Sequence, residues 1–201
     1  MFSTNKAKQL EKNDVDFLEA GIQENVKFTG VRIGQGNRNN AFIEFSFEKD
    51  GKRFTHTEWE PIKGALSNEA FEKKQTNITA RAVEIMRCFY DDAMLNFEGE
   101  TFSEFIQWVK TLLDNADTSK LVRLKVVYND NGYTSLPSYT RFTWIEPMSV
   151  AKEHSKIKEL GIDKFTRPEI RPEMESKRDS FSNPVFTQQD SPVNTSQDLP
   201  F

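Results

Sequence analysis

The residues of this chain that are able to do chemistry are few, and their types suit binding better than bond-breaking. Three carboxylates, Glu44, Glu58 and Glu60, fall on neighbouring strand-like segments, as a nuclease holding a divalent cation would require. No lysine or aspartate completes a recognisable constellation around them, and Glu58-Trp59-Glu60 runs straight into Pro61. The two histidines, His56 and His154, are not spaced as metal ligands. Cys88 lies within the apolar run Val83 to Phe89 and reads as a buried, inert thiol. The loop Gly34 to Asn40 lacks the Gly-Lys-Ser/Thr of a phosphate-binding nucleotide loop. An enzyme, a cofactor and a metal are therefore not expected, and an acidic metal-dependent nuclease is the least favoured alternative.

Cations interleaved with aromatic rings are the stronger pattern. In Val122-Arg123-Leu124-Lys125-Val126, strand geometry sends the apolar residues to one face and Arg123 and Lys125 to the other. Arg141 alternates in the same way beside Tyr139 and Thr143. Such a face suits an extended nucleic-acid strand, because cations follow phosphates and flat rings stack on bases for about 1–3 kcal/mol each. It equally describes a solvated sheet face. Phe42 shares the more polar side of its strand with Glu44 and Ser46, so it is expected exposed while Phe45 and Phe47 are core. Trp59 and Arg53 share a face with Thr55 and Thr57. Arg32, Arg38 and Tyr133 fall in or beside loops. The candidate contacts are therefore Arg32, Arg38, Phe42, Arg53, Trp59, Arg123, Lys125, Tyr133, Tyr139 and Arg141.

Those residues have to be positioned by the elements around them. Residues 1–14 read as a polar arm, 15–148 as the folded domain, 149–165 as a short helical extension and 166–201 as a disordered tail rich in Pro, Ser, Asn and Gln. Val26, Phe28, Val31 and Ile33 alternate as a half-buried strand. Ala41–Phe47 and Arg53–Trp59 form a hairpin about Asp50-Gly51. A helical insert over about 65–115 follows, with Thr79 expected to cap one helix to Leu95 and Thr101 another to Asp114. Leu121–Tyr128 and Tyr139–Ile145 read as two further strands. Three strands, a helical insert and two strands make a mainly β, α+β chain. The order is that of an OB-fold, a five-stranded Greek-key barrel with its helix between strands three and four.

Composition bounds this reading. The net charge is −4, which weighs against phosphate binding by the chain as a whole. The charge of one groove decides the matter, and an acidic tail can dominate the sum. One cysteine excludes an internal disulfide framework. No apolar run is long enough to span a membrane and no secretory leader is evident, so a cytoplasmic location is expected.

The chain ends Asp198-Leu199-Pro200-Phe201, and no basic residue follows Arg178. A terminal Phe beside its own carboxylate suits an apolar pocket rimmed by Arg or Lys on a partner. This ending resembles the acidic tip of bacterial single-stranded DNA-binding proteins and several phage counterparts, although it carries one Asp where the bacterial form usually has three. Ala20-Gly21-Ile22-Gln23-Glu24-Asn25-Val26 and Thr55-His56-Thr57-Glu58-Trp59-Glu60-Pro61 resemble segments of single-stranded DNA-binding proteins of tailed phages. The resemblance implies an OB domain that coats single-stranded DNA without strong sequence preference. It also implies a tip, Asp198, Leu199, Pro200 and Phe201, that recruits replication, recombination or repair enzymes. A protein-interaction adaptor without DNA binding is the alternative.

Overall fold

The computed structural model describes residues 16–37 and 39–168. The expected arm over 1–14, Arg38, and the tail beyond 168 with its tip Asp198 to Phe201 lie outside them.

Alternating apolar and polar residues produce β1 (Gly21–Gln35), β2 (Ala41–Lys49) and β3 (Lys52–Trp59). Lys49 pairs with Lys52, so the hairpin turns on Asp50 and Gly51 alone, at φ 51° and 78°. Two consecutive left-handed residues are what a tight hairpin requires. β1 serves two partners. Its first half pairs with β4 (Leu121–Tyr128) and its second with β2. Register shifts fall between Gln23 and Val26, where Asn25 has φ 58°, and between Phe28 and Gly30, where Gly30 has φ 149°. Bulges of this kind bend a strand and increase its twist, which lets one strand join two halves of a sheet.

The hydrogen-bonded path runs β3-β2-β1-β4-β5, with β5 being Thr134–Ser135; β6 (Ile145–Pro147) pairs with the other end of β4. All strand pairs are antiparallel. The sheet thus has six strands and is open: β3 and β5 approach each other, but no ladder of described residues joins them. The alternation over Tyr139–Ile145 does not give one long strand. Pro137 has no N–H to give a ladder, and the Tyr139 hydroxyl is held by Lys125 and Asp163 instead. Only Ile145–Pro147 pairs with β4.

Two helices cover the apolar side. α1 (Asn68–Met86) starts well before Thr79, with the Ser67 hydroxyl accepting from the Ala70 amide at 3.2 Å. Its first turns are exposed, and its second half buries Ile78, Ala82, Ile85 and Met86. α2 (Phe102–Asp114) starts at Thr101 as expected, where Thr101 and Glu104 form a capping box. It buries Phe105, Ile106, Val109 and Leu113 and packs on β1 and β2. Phe28 lies at the centre, 5.5 Å from Phe47 and 5.4 Å from Phe89 between ring centroids. Each such ring contributes about 1.5–3 kcal/mol on burial. No helix among the described residues is long and apolar enough to cross a membrane.

After β6 the chain makes a single 3₁₀ turn, Lys152–His154, where a short helical extension over 149–165 is expected from the sequence. It then continues in irregular form to Lys164, whose carbonyl accepts from the Tyr128 amide at 2.8 Å. This returning segment, residues 148–164, is a strap laid over β4.

Candidate nucleic-acid interface

The register of β1, β2 and β3 sorts their side chains cleanly. Cross-strand pairs Phe42–Trp59, Glu44–Thr57, Ser46–Thr55 and Glu48–Arg53 lie on one face, joined from β1 by Gly34 opposite Phe42 and Arg32 opposite Glu44. The other face carries the buried Ile43, Phe45, Phe47 and Phe54. The first face is polar along most of its length and ends in an aromatic ledge. The Phe42 and Trp59 rings are 4.8 Å apart, and the Arg32 guanidinium lies 5.1 Å above the Phe42 centroid. Phe42 is 7% exposed, against expectation, because Trp59 and Arg32 cover it. Trp59 is 43% exposed and forms the outward surface.

Two glycines make the ledge possible. A Cβ on Gly34 would lie 2.5 Å from the Phe42 ring, and one on Gly36 would lie 2.6 Å from the Trp59 ring. Any other residue would push the rings off the loop. Glu44 fixes Arg32, accepting from its Nε at 2.9 Å, and also accepts from the Thr57 hydroxyl at 3.2 Å. That carboxylate raises the Arg32 pKa further above its ordinary range. Arg53 stands exposed at the far end of the row, its backbone pairing with Asp16 and Leu18.

No protein-family model matches the sequence, and no curated protein or solved structure shows significant similarity to it.

Arg123 and Lys125 are corrections. Both side chains leave β4 on the side away from Val122, Leu124 and Val126, as the alternation requires, but both are covered. Arg123 is 4% exposed and ion-paired with Glu146 of β6 and Glu24 of β1. Lys125 is fully buried; it is bonded to Asp163 at 2.7 Å, to the Tyr139 hydroxyl at 2.8 Å and to the Lys158 carbonyl. Burial alone would raise the Asp163 carboxyl, but hydrogen bonds from Lys125, the Leu160 amide and the Tyr139 hydroxyl outweigh it and hold the pKa below the usual range. Burial, followed by the bond to Asp163, pushes the Tyr139 phenol upward. Arg123 and Lys125 therefore offer no phosphate a surface, and Lys125 and the hydroxyl of the half-buried Tyr139 anchor the strap through Asp163.

Arg141 and Tyr133 are exposed on loops, Arg141 with its guanidinium 6.0 Å from the Phe142 ring. The structure thus brings Arg32, Phe42, Trp59 and Arg53 onto one face and leaves Tyr133 and Arg141 at separate loops. Arg38 and the tip fall outside the described residues. Phe142, half-exposed beside Tyr139, was not among the candidates.

The three carboxylates do not converge. Glu58 is buried and binds Arg81 of α1 and His56 at 2.7 Å; Glu44 binds Arg32; Glu60 accepts from the Ala41 amide at 3.0 Å. Among the described residues no group of three His, Cys, Asp or Glu side chains is placed to hold a metal ion. Burial pushes the Cys88 thiol upward, away from reactive thiolate.

Proposed function

We propose that this chain is a single-stranded DNA-binding protein, not an enzyme, and that the strand crosses the polar face of β1–β3. The observation that carries the reading is the exposed Trp59 packed at a tilt against Phe42, itself beneath Arg32, at one end of a β3 row that runs through Thr57 and Thr55 to Arg53. A ring open on one side accepts a base of any sequence, and the guanidinium supplies a phosphate partner. Thr55, exposed between Trp59 and Arg53, can donate to a phosphate or sugar oxygen without choosing a base. The long bent β1 shared between β2 and β4 supports reading the sheet as an OB-type barrel. The ending Asp198-Leu199-Pro200-Phe201 supports a tip that recruits replication, recombination or repair enzymes in a cytoplasm.

The test is a titration of the full chain with labelled oligo-dT and with a duplex of equal length, at two salt concentrations. Tight single-strand binding that weakens as salt rises, with little duplex binding, supports the proposal. Failure to bind any oligonucleotide at low salt would leave the adaptor reading in its place.

A further inference from the structure

A cavity of about 400 Å³ lies at the seam where β3 and β5 approach each other, away from the Trp59 ledge. We propose that it holds one nucleobase of the strand that crosses the β1–β3 face, clasped between Phe17 and Tyr133. The inference rests on the single-stranded DNA reading and deepens it.

Four observations favour a base as the occupant. First, the cavity continues the face already described: Thr55, in the same row of β3 as Thr57 and Trp59, forms part of its wall. Four residues of strand at about 3.3 Å each separate Thr55 from Trp59, about 13 Å. A stacked strand spans that in about four nucleotides at 3.4 Å each.

Second, the walls include two aromatic side chains with large exposed surface, Phe17 at 66% and Tyr133 at 50%. Exposed rings rimming a cavity of this size mark a binding site better than isolated surface apolar residues do.

Third, each ring stands on backbone fixed by hydrogen bonds. Phe17 forms a parallel bridge with Arg53, flanked by Leu18 N to Arg53 O at 2.9 Å and Arg53 N to Asp16 O at 2.8 Å. Tyr133 closes a turn in which the Asn129 side chain accepts from the Asn131 and Tyr133 amides, both at 3.0 Å. With the backbone fixed, only the two side-chain torsions of each ring remain to be ordered when a base stacks on it.

Fourth, the rim is suited to the charge of a phosphodiester. Arg53 precedes the cavity in the row, and Arg167 is seated in its wall with Nε donating to the Gly132 carbonyl at 3.2 Å. Glu19, the carboxylate in the wall, is bonded to Lys52 at 2.7 Å, which offsets its charge.

The experiment uses the full chain and two variants, Phe17→Leu and Tyr133→Leu, which keep an apolar side chain and remove the ring face. Binding is followed with oligo-dT carrying a single fluorescent 2-aminopurine, moved one position at a time. The wild type is expected to quench the analogue strongly at two positions about four nucleotides apart, one at Trp59 and one at the seam. Each variant is expected to lose the seam quenching, to keep that at Trp59 and to weaken binding roughly 10-fold, with an unchanged melting temperature. Oligonucleotide binding by the wild type with unaltered affinity and quenching in both variants would overturn the seam site and leave the Trp59 face standing. Absence of any binding by the wild type at low salt would overturn both.

Discussion

The polar face of β1–β3 and the corresponding face of β4 are written in the same alternating code and end in opposite states. On β1–β3, Arg32 and Trp59 reach solvent. On β4, Arg123 and Lys125 occupy equivalent alternate positions and are buried, Arg123 against Glu146 and Glu24 and Lys125 under the strap at Lys158 and Asp163. Period-two alternation decides which side of a strand a residue takes. It does not decide whether a later segment returns to cover that side. The cations of β4 therefore contribute to stability, and those of β1–β3 are available for a ligand.

The largest effect is expected where the covered face is opened. Lys125→Ala leaves Asp163 charged and buried without its partner, which should destabilise the fold by about 3–5 kcal/mol. Chemical denaturation measures this, and the affinity of the still-folded fraction for oligo-dT should not change. A loss of affinity without loss of stability would place Lys125 on the binding surface after all.

The pH profile probes the same strap more gently. Asp163 has a depressed pKa in the folded state, so its stabilisation is present above the unfolded value near about 3.9 and is lost as pH falls through the folded value. Between about pH 6 and about pH 2 the wild type should lose more stability than Asp163→Asn, whose neutral-pH stability is already lower. Parallel curves would show that the pair does not anchor the strap.

On the open face, Trp59→Ala should weaken single-strand binding by about 1–3 kcal/mol and alter stability by less than about 1 kcal/mol, since much of the ring is exposed. Gly36→Ala should act on the same ring indirectly. Its Cβ would meet Trp59 at 2.6 Å, so the ring must swing outward, and affinity is expected to fall a few-fold. Arg32→Gln should have the smallest effect on affinity. It should reduce the slope of log K against log salt by about 0.7, the value for one single-strand phosphate contact.

The hairpin and the second helix could be read from local signals alone. Asp50-Gly51 and the Thr101–Glu104 box each fix a boundary within a few residues of chain. The first half of α1 carries no apolar stripe, so its start at Ser67 left no mark in the periodicity. The fate of β4 was hidden for a different reason. Asp163 lies far along the chain from Lys125, and its pairing is a tertiary event to which no local window is sensitive. The same distance explains Tyr139, whose alternation with Arg141 and Thr143 suggests a strand while its hydroxyl is held by the strap. The aromatic ledge was half legible: Trp59 stood out, but the packing of Phe42 under Arg32 needed the register of three strands.

The most direct measurement is tryptophan emission during oligo-dT titration, compared between the wild type and Trp59→Phe, with binding followed independently by oligonucleotide anisotropy. Trp144 is buried and Trp108 packs against Phe97 with centroids 5.1 Å apart, whereas Trp59 is exposed on the β1–β3 face. Stacking on the β1–β3 face predicts quenching in the wild type that disappears in Trp59→Phe while anisotropy still reports binding. Binding with no quenching in the wild type, or quenching that persists in the variant, would contradict it.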